Sequence, residues 1–387
     1  MIKKTSLILL VYFLVCTNFF MAGPYIADIY YLDWIILEML ALCAFFSLRG
    51  IPRSLREETK NFELCILWFI VLNLLQVVYT YLKYRQPLMT GVKMVYFSFA
   101  MLIYFLLERL VNTKERTDDL KQHLVLFVVL CNIGTLLKYF LLGRRSCPHF
   151  YLILLCLPIS ISYILYKKNT RLGWAALVSS IFVRIFLSSN MAFLIILVAV
   201  ASVQVYMYFY DKYLSKKNKV LAIFLLVVVV GILGVLGIIQ YYVKSMIYLD
   251  IGTRMRVLTI EYFANILKRA PLFGVGTLDP SYSAEFYNFI HGGLNQFGGT
   301  GQFYLEDIGI IGTVCQYGLL SLIPIFFMIK GMIISIKNIG NINRHQNIGI
   351  FVLILGMFIS LSPFNKAPIQ VLPLVFLISS NNMIYQE

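Results

Sequence analysis

The sequence predicts an all-α polytopic membrane protein: about twelve transmembrane helices in one bundle, interrupted by one large external loop. Three observations carry that expectation. Hydrophobic residues make up 60% of the 387 and charged residues only 13%, where a soluble domain has roughly 25% charged residues; mean hydropathy is +0.81. Apolar runs long enough to cross a hydrocarbon core of about 30 Å as helix recur along the chain. Basic residues gather at alternate ends of those runs, as the bias of Lys and Arg toward the cytoplasmic side demands.

The runs begin near Thr5, Ile29, Phe62, Gly91, Gln122, Pro148, Leu172, Met191, Val220, Ile308, Asn347 and Ala367. The first, Thr5 to Ala22 after Lys3 and Lys4, has the charge pattern of a signal peptide. It is long, however, and Met21-Ala22-Gly23 is a poor small-x-small cleavage site, so an uncleaved span is expected. Short loops, no internal repeat and no low-complexity linker point to a single domain over residues 1–387.

Placing the N-terminus in the cytoplasm puts Arg49/Arg53/Arg56/Lys60, Arg109/Lys114/Arg116/Lys121, Lys167/Lys168/Arg171, Lys212/Lys216/Lys217/Lys219 and Lys330/Lys337/Arg344 on that side. Both termini are then cytoplasmic and the long loop, Tyr241 to Asp307, is external. The net charge of +15 is mostly this flanking charge, which argues against nucleic acid as a partner. Seven cysteines without C-x-x-C spacing suggest neither zinc nor a disulfide framework, and they read as packing residues.

The basic residues that break the pattern are more informative: Lys83, Arg85, Lys93, Lys138, Arg144, Arg145, Arg184, Lys244, Arg254, Arg256, Lys268, Arg269 and Lys366. Guanidinium forks match phosphate oxygens two at a time, so arginines held at the outer face suit an anionic ligand; for Lys83, Arg85, Lys93 and Lys366, reaching lipid headgroups suffices. Arg184 is thirteen residues past Arg171, about 20 Å along a helix. A charge at that depth is costly unless it meets a hydrated cavity, an anion or a structural partner.

Within the loop, Thr253 to Arg269 has helical apolar spacing at Met255, Leu258, Tyr262 and Ile266, and Pro271 stops the helix. Arg254 and Arg256 stand about 200° apart on such a helix. Arg254 aligns with Glu261, its ordinary ion-pair partner, whereas Arg256 shares a face with Phe263 and Leu267 and is the better candidate to meet a ligand. Asp279-Pro280 opens a second short helix ending at Gly292-Gly293, which delivers His291, a candidate general base. Gly274-Val275-Gly276 lacks the lysine and strand of a phosphate loop, and as a tight turn it needs no ligand.

Arg256, an amphipathic helix, Pro271-Leu272-Phe273-Gly274-Val275-Gly276, a polar stretch and then Gln302-Phe303-Tyr304-Leu305-Glu306-Asp307-Ile308-Gly309-Ile310-Ile311-Gly312 stand in one order. Over Gly252 to Leu320 that order resembles the bacterial O-antigen polymerase and ligase superfamily, in which an arginine precedes the Pro-Leu-x-Gly-x-Gly turn by about eighteen residues; Arg256 to Gly274 has that spacing. Two departures stand out. Gly301-Gln302 occupies the place of the family's histidine, with His291 ten residues earlier, and Ser189-Asn190-Met191-Ala192 lacks the family's arginine, with Arg184 upstream. Both favour the polymerase branch over the ligase branch.

The resemblance implies an inner-membrane enzyme, needing no metal or other cofactor, that polymerises oligosaccharide repeat units linked to undecaprenyl diphosphate into surface polysaccharide at the outer membrane face. Its expected partners are that lipid-linked oligosaccharide, membrane lipid and a chain-length regulator protein. Arg256, Arg254, Arg184, Arg144 and Arg145 would hold the diphosphate. His291 or a carboxylate, Glu285, Glu306 or Asp307, would orient or deprotonate the acceptor hydroxyl, although Glu306-Asp307 also reads as a solvated cap on the next span. The competing readings are an O-antigen ligase acting on lipid A core, a lipid-linked oligosaccharide flippase with charges along a central cavity, and a secondary transporter with repeated halves.

Overall fold

The computed structural model describes residues 4–16, 57–143, 147, 149–187, 191–213, 259–260, 263–265, 267–279, 308–337, 341–360, 362–364 and 368–384. Among them there is no strand. The helices are α1 (Lys4–Cys16), α2 (Glu57–Tyr84), α3 (Leu88–Val95) running through a 3-10 segment (Tyr96–Leu102) into α4 (Ile103–Leu110), α5 (Lys114–Leu142), α6 (Phe150–Leu165), α7 (Thr170–Leu187), α8 (Met191–Tyr213), α9 (Gly309–Tyr317), α10 (Leu322–Lys337), α11 (Asn341–Ser360) and α12 (Leu372–Ile384). Among the described residues, five helical stretches are long and apolar enough to cross a membrane: Thr59–Tyr84, Leu88–Leu110, Lys114–Leu141, Thr170–Leu187 and Leu319–Lys337.

The helix α2 shows why these segments form a membrane bundle. Phe62, Cys65, Ile66, Phe69, Leu72, Asn73, Gln76 and Thr80 recur at helical steps and are buried, while Leu67, Trp68, Val71, Leu74, Leu75, Val78 and Leu82 stay exposed on the other face. In water that exposed face would be a liability; against hydrocarbon it is at rest. The Phe62 ring packs on Gly331 of α10, where a Cβ would come within 2.7 Å of the ring, and stacks on Phe376 of α12 at 4.8 Å. Small residues permit such close approach where lipid supplies no hydrophobic drive.

Two helices form the centre. In α6 every residue from Leu152 to Tyr163 is buried, and in α12 every residue from Leu372 to Met383. The N-cap of α5 is Thr113, whose side chain accepts from the Arg116 N–H at 3.3 Å, and Gly143 ends that helix at φ 64°.

One end of the bundle collects the basic residues. Lys168 pairs with Asp118 at 3.0 Å, joining the α6–α7 turn to the start of α5. His345 on α11 bonds Asp211 on α8 at 2.8 Å through Nε2 and Tyr166 through Nδ1, while Arg344 lies 3.9 Å from the same aspartate. Just below, Asn347 donates to the Ser335 and Ser379 carbonyls, both at 3.0 Å, and accepts from Asn382 at 2.8 Å, tying α10, α11 and α12. Asn381 reaches the Val111 carbonyl at 2.8 Å and Thr117 at 3.0 Å. Each interhelical bond of this kind contributes about 0.6 kcal/mol.

The run expected to open as one span at Ile308 is two helices. The break is Gly318, at φ 72°, and the membrane-length stretch begins at Leu319. Gly309-Ile310-Ile311-Gly312 opens the short helix α9 and not that stretch, because Gly318 turns the chain nine residues on.

Candidate functional site

The opposite end of the bundle holds the Pro-Leu-x-Gly-x-Gly motif, and the break at Gly318 is what it binds. A helix leaves its last four carbonyls without partners. Here the carbonyls of Val314, Cys315 and Gln316 accept from Gly318 N–H (2.8 Å), Val275 N–H (3.0 Å) and Gly276 N–H (2.8 Å), and that of Tyr317 accepts from Gln76 Nε2 (3.3 Å). In return the Leu319 N–H donates to the Pro271 carbonyl at 2.8 Å and Leu320 N–H to Leu272 at 3.4 Å. The motif therefore closes both sides of the break. Gly274 and Gly318 have φ of 65° and 72°, and a Cβ on either would stand 2.3 Å or 2.2 Å from a backbone carbonyl oxygen. Glycine is required at both for conformation and for space.

The end of α2 completes the clamp. Gln76 Nε2 also donates to the Phe273 carbonyl at 2.9 Å, Tyr79 stacks on Phe273 at 4.9 Å, and Tyr79 donates to the Gly274 carbonyl at 3.2 Å. Gln86 donates to the Thr277 carbonyl at 3.1 Å and accepts from the Asp279 N–H at 2.8 Å. Just upstream, residues 263–265 and 267–269 are helical and the helix ends before Pro271, as expected. Phe263 is fully buried and Thr259 nearly so, whereas Asn265, Lys268 and Arg269 are exposed.

A second polar group lies at this end, between α5, α6 and α7. Arg184 is in the last turn of α7 and only 6% exposed, with its guanidinium 4.3 Å from the Phe150 ring centre. One turn earlier, Ser179 gives its hydroxyl proton to the Ala176 carbonyl (3.2 Å), so it accepts from Asn132 Nδ2 at 3.0 Å; Ser180 takes the other Nδ2 hydrogen at 3.0 Å. Asn132 Oδ1 consequently faces His149 Nε2 at 2.7 Å, which must carry the proton. His149 Nδ1 is then a bare lone pair, buried and without a hydrogen-bond partner. His149 immediately precedes the first turn of α6. The Cys147 thiol lies beside Arg184; burial raises its pKa to about 11, with the nearby guanidinium pulling the other way.

Of the nominated site residues, Arg184 is described, and a ring and a thiol meet it. Arg144, Arg145, Arg254, Arg256, Glu285, His291 and Glu306 lie outside the described residues, as do Asp307 and the helix expected after Pro280. Gln76, Gln86, Asn132 and His149 were not singled out from the sequence. Their signal was available: polar side chains within or next to apolar runs are costly and so have partners. Among the described residues no group of three or more His, Cys, Asp and Glu is placed to hold a metal. No protein-family model matches this chain, and no curated protein matches it.

Proposed function

We propose that this membrane protein polymerises glycan repeat units carried on undecaprenyl diphosphate, at the outer face of a bacterial inner membrane. The observation that supports this reading best is the clamp between Pro271–Gly276 and the break at Gly318. It fixes the end of the loop helix against the bundle end where Arg184 is buried. In sequence, Arg256 precedes the buried Thr259 by three residues and the buried Phe263 by seven.

In the reaction a hydroxyl oxygen of the acceptor unit attacks the anomeric carbon of the donor glycan. The bond from that carbon to the diphosphate oxygen breaks, and the lipid diphosphate leaves with the electron pair. Arg256, Arg254, Arg184, Arg144 and Arg145 are assigned to the diphosphate and its developing charge, and His291, Glu285 or Glu306 to the hydroxyl proton. Replacing Arg256 by Ala should abolish chain elongation while the protein still inserts. Electrophoresis of the surface glycan reads this directly: single repeat units on lipid A core support a polymerase, bare core indicates a ligase, and a normal ladder removes Arg256 from the mechanism.

A further inference from the structure

A cavity of about 510 Å³ lies at the basic end of the bundle, between α5 and the start of α7. Its polar wall is Lys168, Asn169, Thr170 and Arg171, from the α6–α7 turn and the first residues of α7, with Gln122 of α5. Its apolar wall is Leu126 and Leu172. Gln122, Leu126, Lys168 and Arg171 are exposed, so the cavity opens outward and not into the core. The sequence sets it across the edge of the hydrocarbon: on α5, Lys121 is the last Asp, Glu, Lys or Arg before Lys138, and on α7, Arg171 is the last before Arg184. Past that level Leu126, Leu130, Ile133 and Leu137 form an exposed stripe at helical steps along α5. Trp174, exposed one turn after Arg171, is a residue type that favours the membrane interface.

We infer that this cavity binds the phosphodiester headgroup of an anionic glycerophospholipid without an ammonium group, phosphatidylglycerol being the simplest, and that an acyl chain follows the α5 stripe. The donor set selects the charge. Lysine, arginine, a hydroxyl and two side-chain amides all offer hydrogens to phosphate oxygens, and among the described residues no carboxylate lines the cavity. Asp118, on the preceding turn of α5, is held by Lys168 at 3.0 Å and Lys121 at 3.8 Å. An ethanolamine or choline headgroup would bring its own cation against Lys168 and Arg171. The apolar wall selects a lipid over free phosphate, because Leu126 and Leu172 offer an inorganic ion nothing, whereas an acyl chain covers them. Basic pockets between membrane helices are suited to such headgroups. The inference does not rest on the polymerase reading.

Arg171 is the clean position to change, because it is exposed and Lys168 also holds Asp118. The purified full-length chain in non-ionic detergent is titrated with dioleoyl phosphatidylglycerol, dioleoyl phosphatidylethanolamine and inorganic phosphate, and bound molecules are counted by native mass spectrometry. Phosphatidylglycerol should bind in preference to phosphatidylethanolamine. Arg171→Gln should weaken it about fivefold, as the loss of one basic residue near an anionic headgroup does, with the melting temperature in lipid-free detergent unchanged. Lys337→Gln is the control: it removes a basic residue at the same end, on α10, which packs on α2, α11 and α12, and should change binding less than about twofold. Equal weakening by the two variants would mean diffuse attraction to a basic surface and overturns the site. Equal binding of the two lipids overturns it as well, and so does binding of neither. Displacement of phosphatidylglycerol by inorganic phosphate overturns the lipid assignment and gives the cavity to a soluble phosphate.

Discussion

Arg184 lies over Phe150, its guanidinium carbon 4.3 Å from the ring centre, in a position only 6% exposed. A planar, weakly hydrated cation is suited to that contact and a compact ammonium is not. Arg184→Lys should therefore lower thermal stability almost as much as Arg184→Ala. A double-mutant cycle with Phe150→Leu, read as unfolding free energy, should return a coupling of about 0.5 to 2 kcal/mol. Additive effects would mean that the stacking is incidental.

Gly274→Ala and Gly318→Ala each force a side chain into left-handed backbone and into a carbonyl oxygen. The cost is about 2 kcal/mol or more apiece, and both should release the Pro271–Gly276 turn. Faster limited proteolysis near residue 270 and lower membrane abundance are the expected readouts. Gly134→Ala is the control: nothing lies within 4 Å of its Cβ, so it should be neutral.

At the basic end, Tyr166→Phe removes the hydroxyl that meets His345 Nδ1 and leaves a buried ring nitrogen without its partner. The expected loss is about 1 to 3 kcal/mol. Asp211→Asn should cost at least as much, since both His345 and Arg344 face that carboxylate. Thermal unfolding compares the two, and a smaller loss for Asp211→Asn would place the weight of this contact on the tyrosine.

The helical class and several spans were legible because apolar length and charge alternation are local. Arg184 stood out as a basic residue in the wrong place, and the glycine motif was read as a turn that needs no ligand. Its purpose was not legible. The carbonyls that Val275 and Gly276 cap are about forty residues away, and Gly318 in an apolar run looks like any packing glycine. The His149–Asn132–Ser180 chain was hidden for the same reason: three helices must pack before those residues become neighbours.

The centrality of α6 has a consequence for hydrophobic matching. Its sixteen residues span about 24 Å, less than a hydrocarbon core of about 30 Å, and it is enclosed by protein along that length. A lipid-facing helix that short would thin the bilayer or tilt its neighbours; one walled in by protein from Leu152 to Tyr163 has no such match to make, so its length answers to its helical neighbours and not to the thickness of the bilayer.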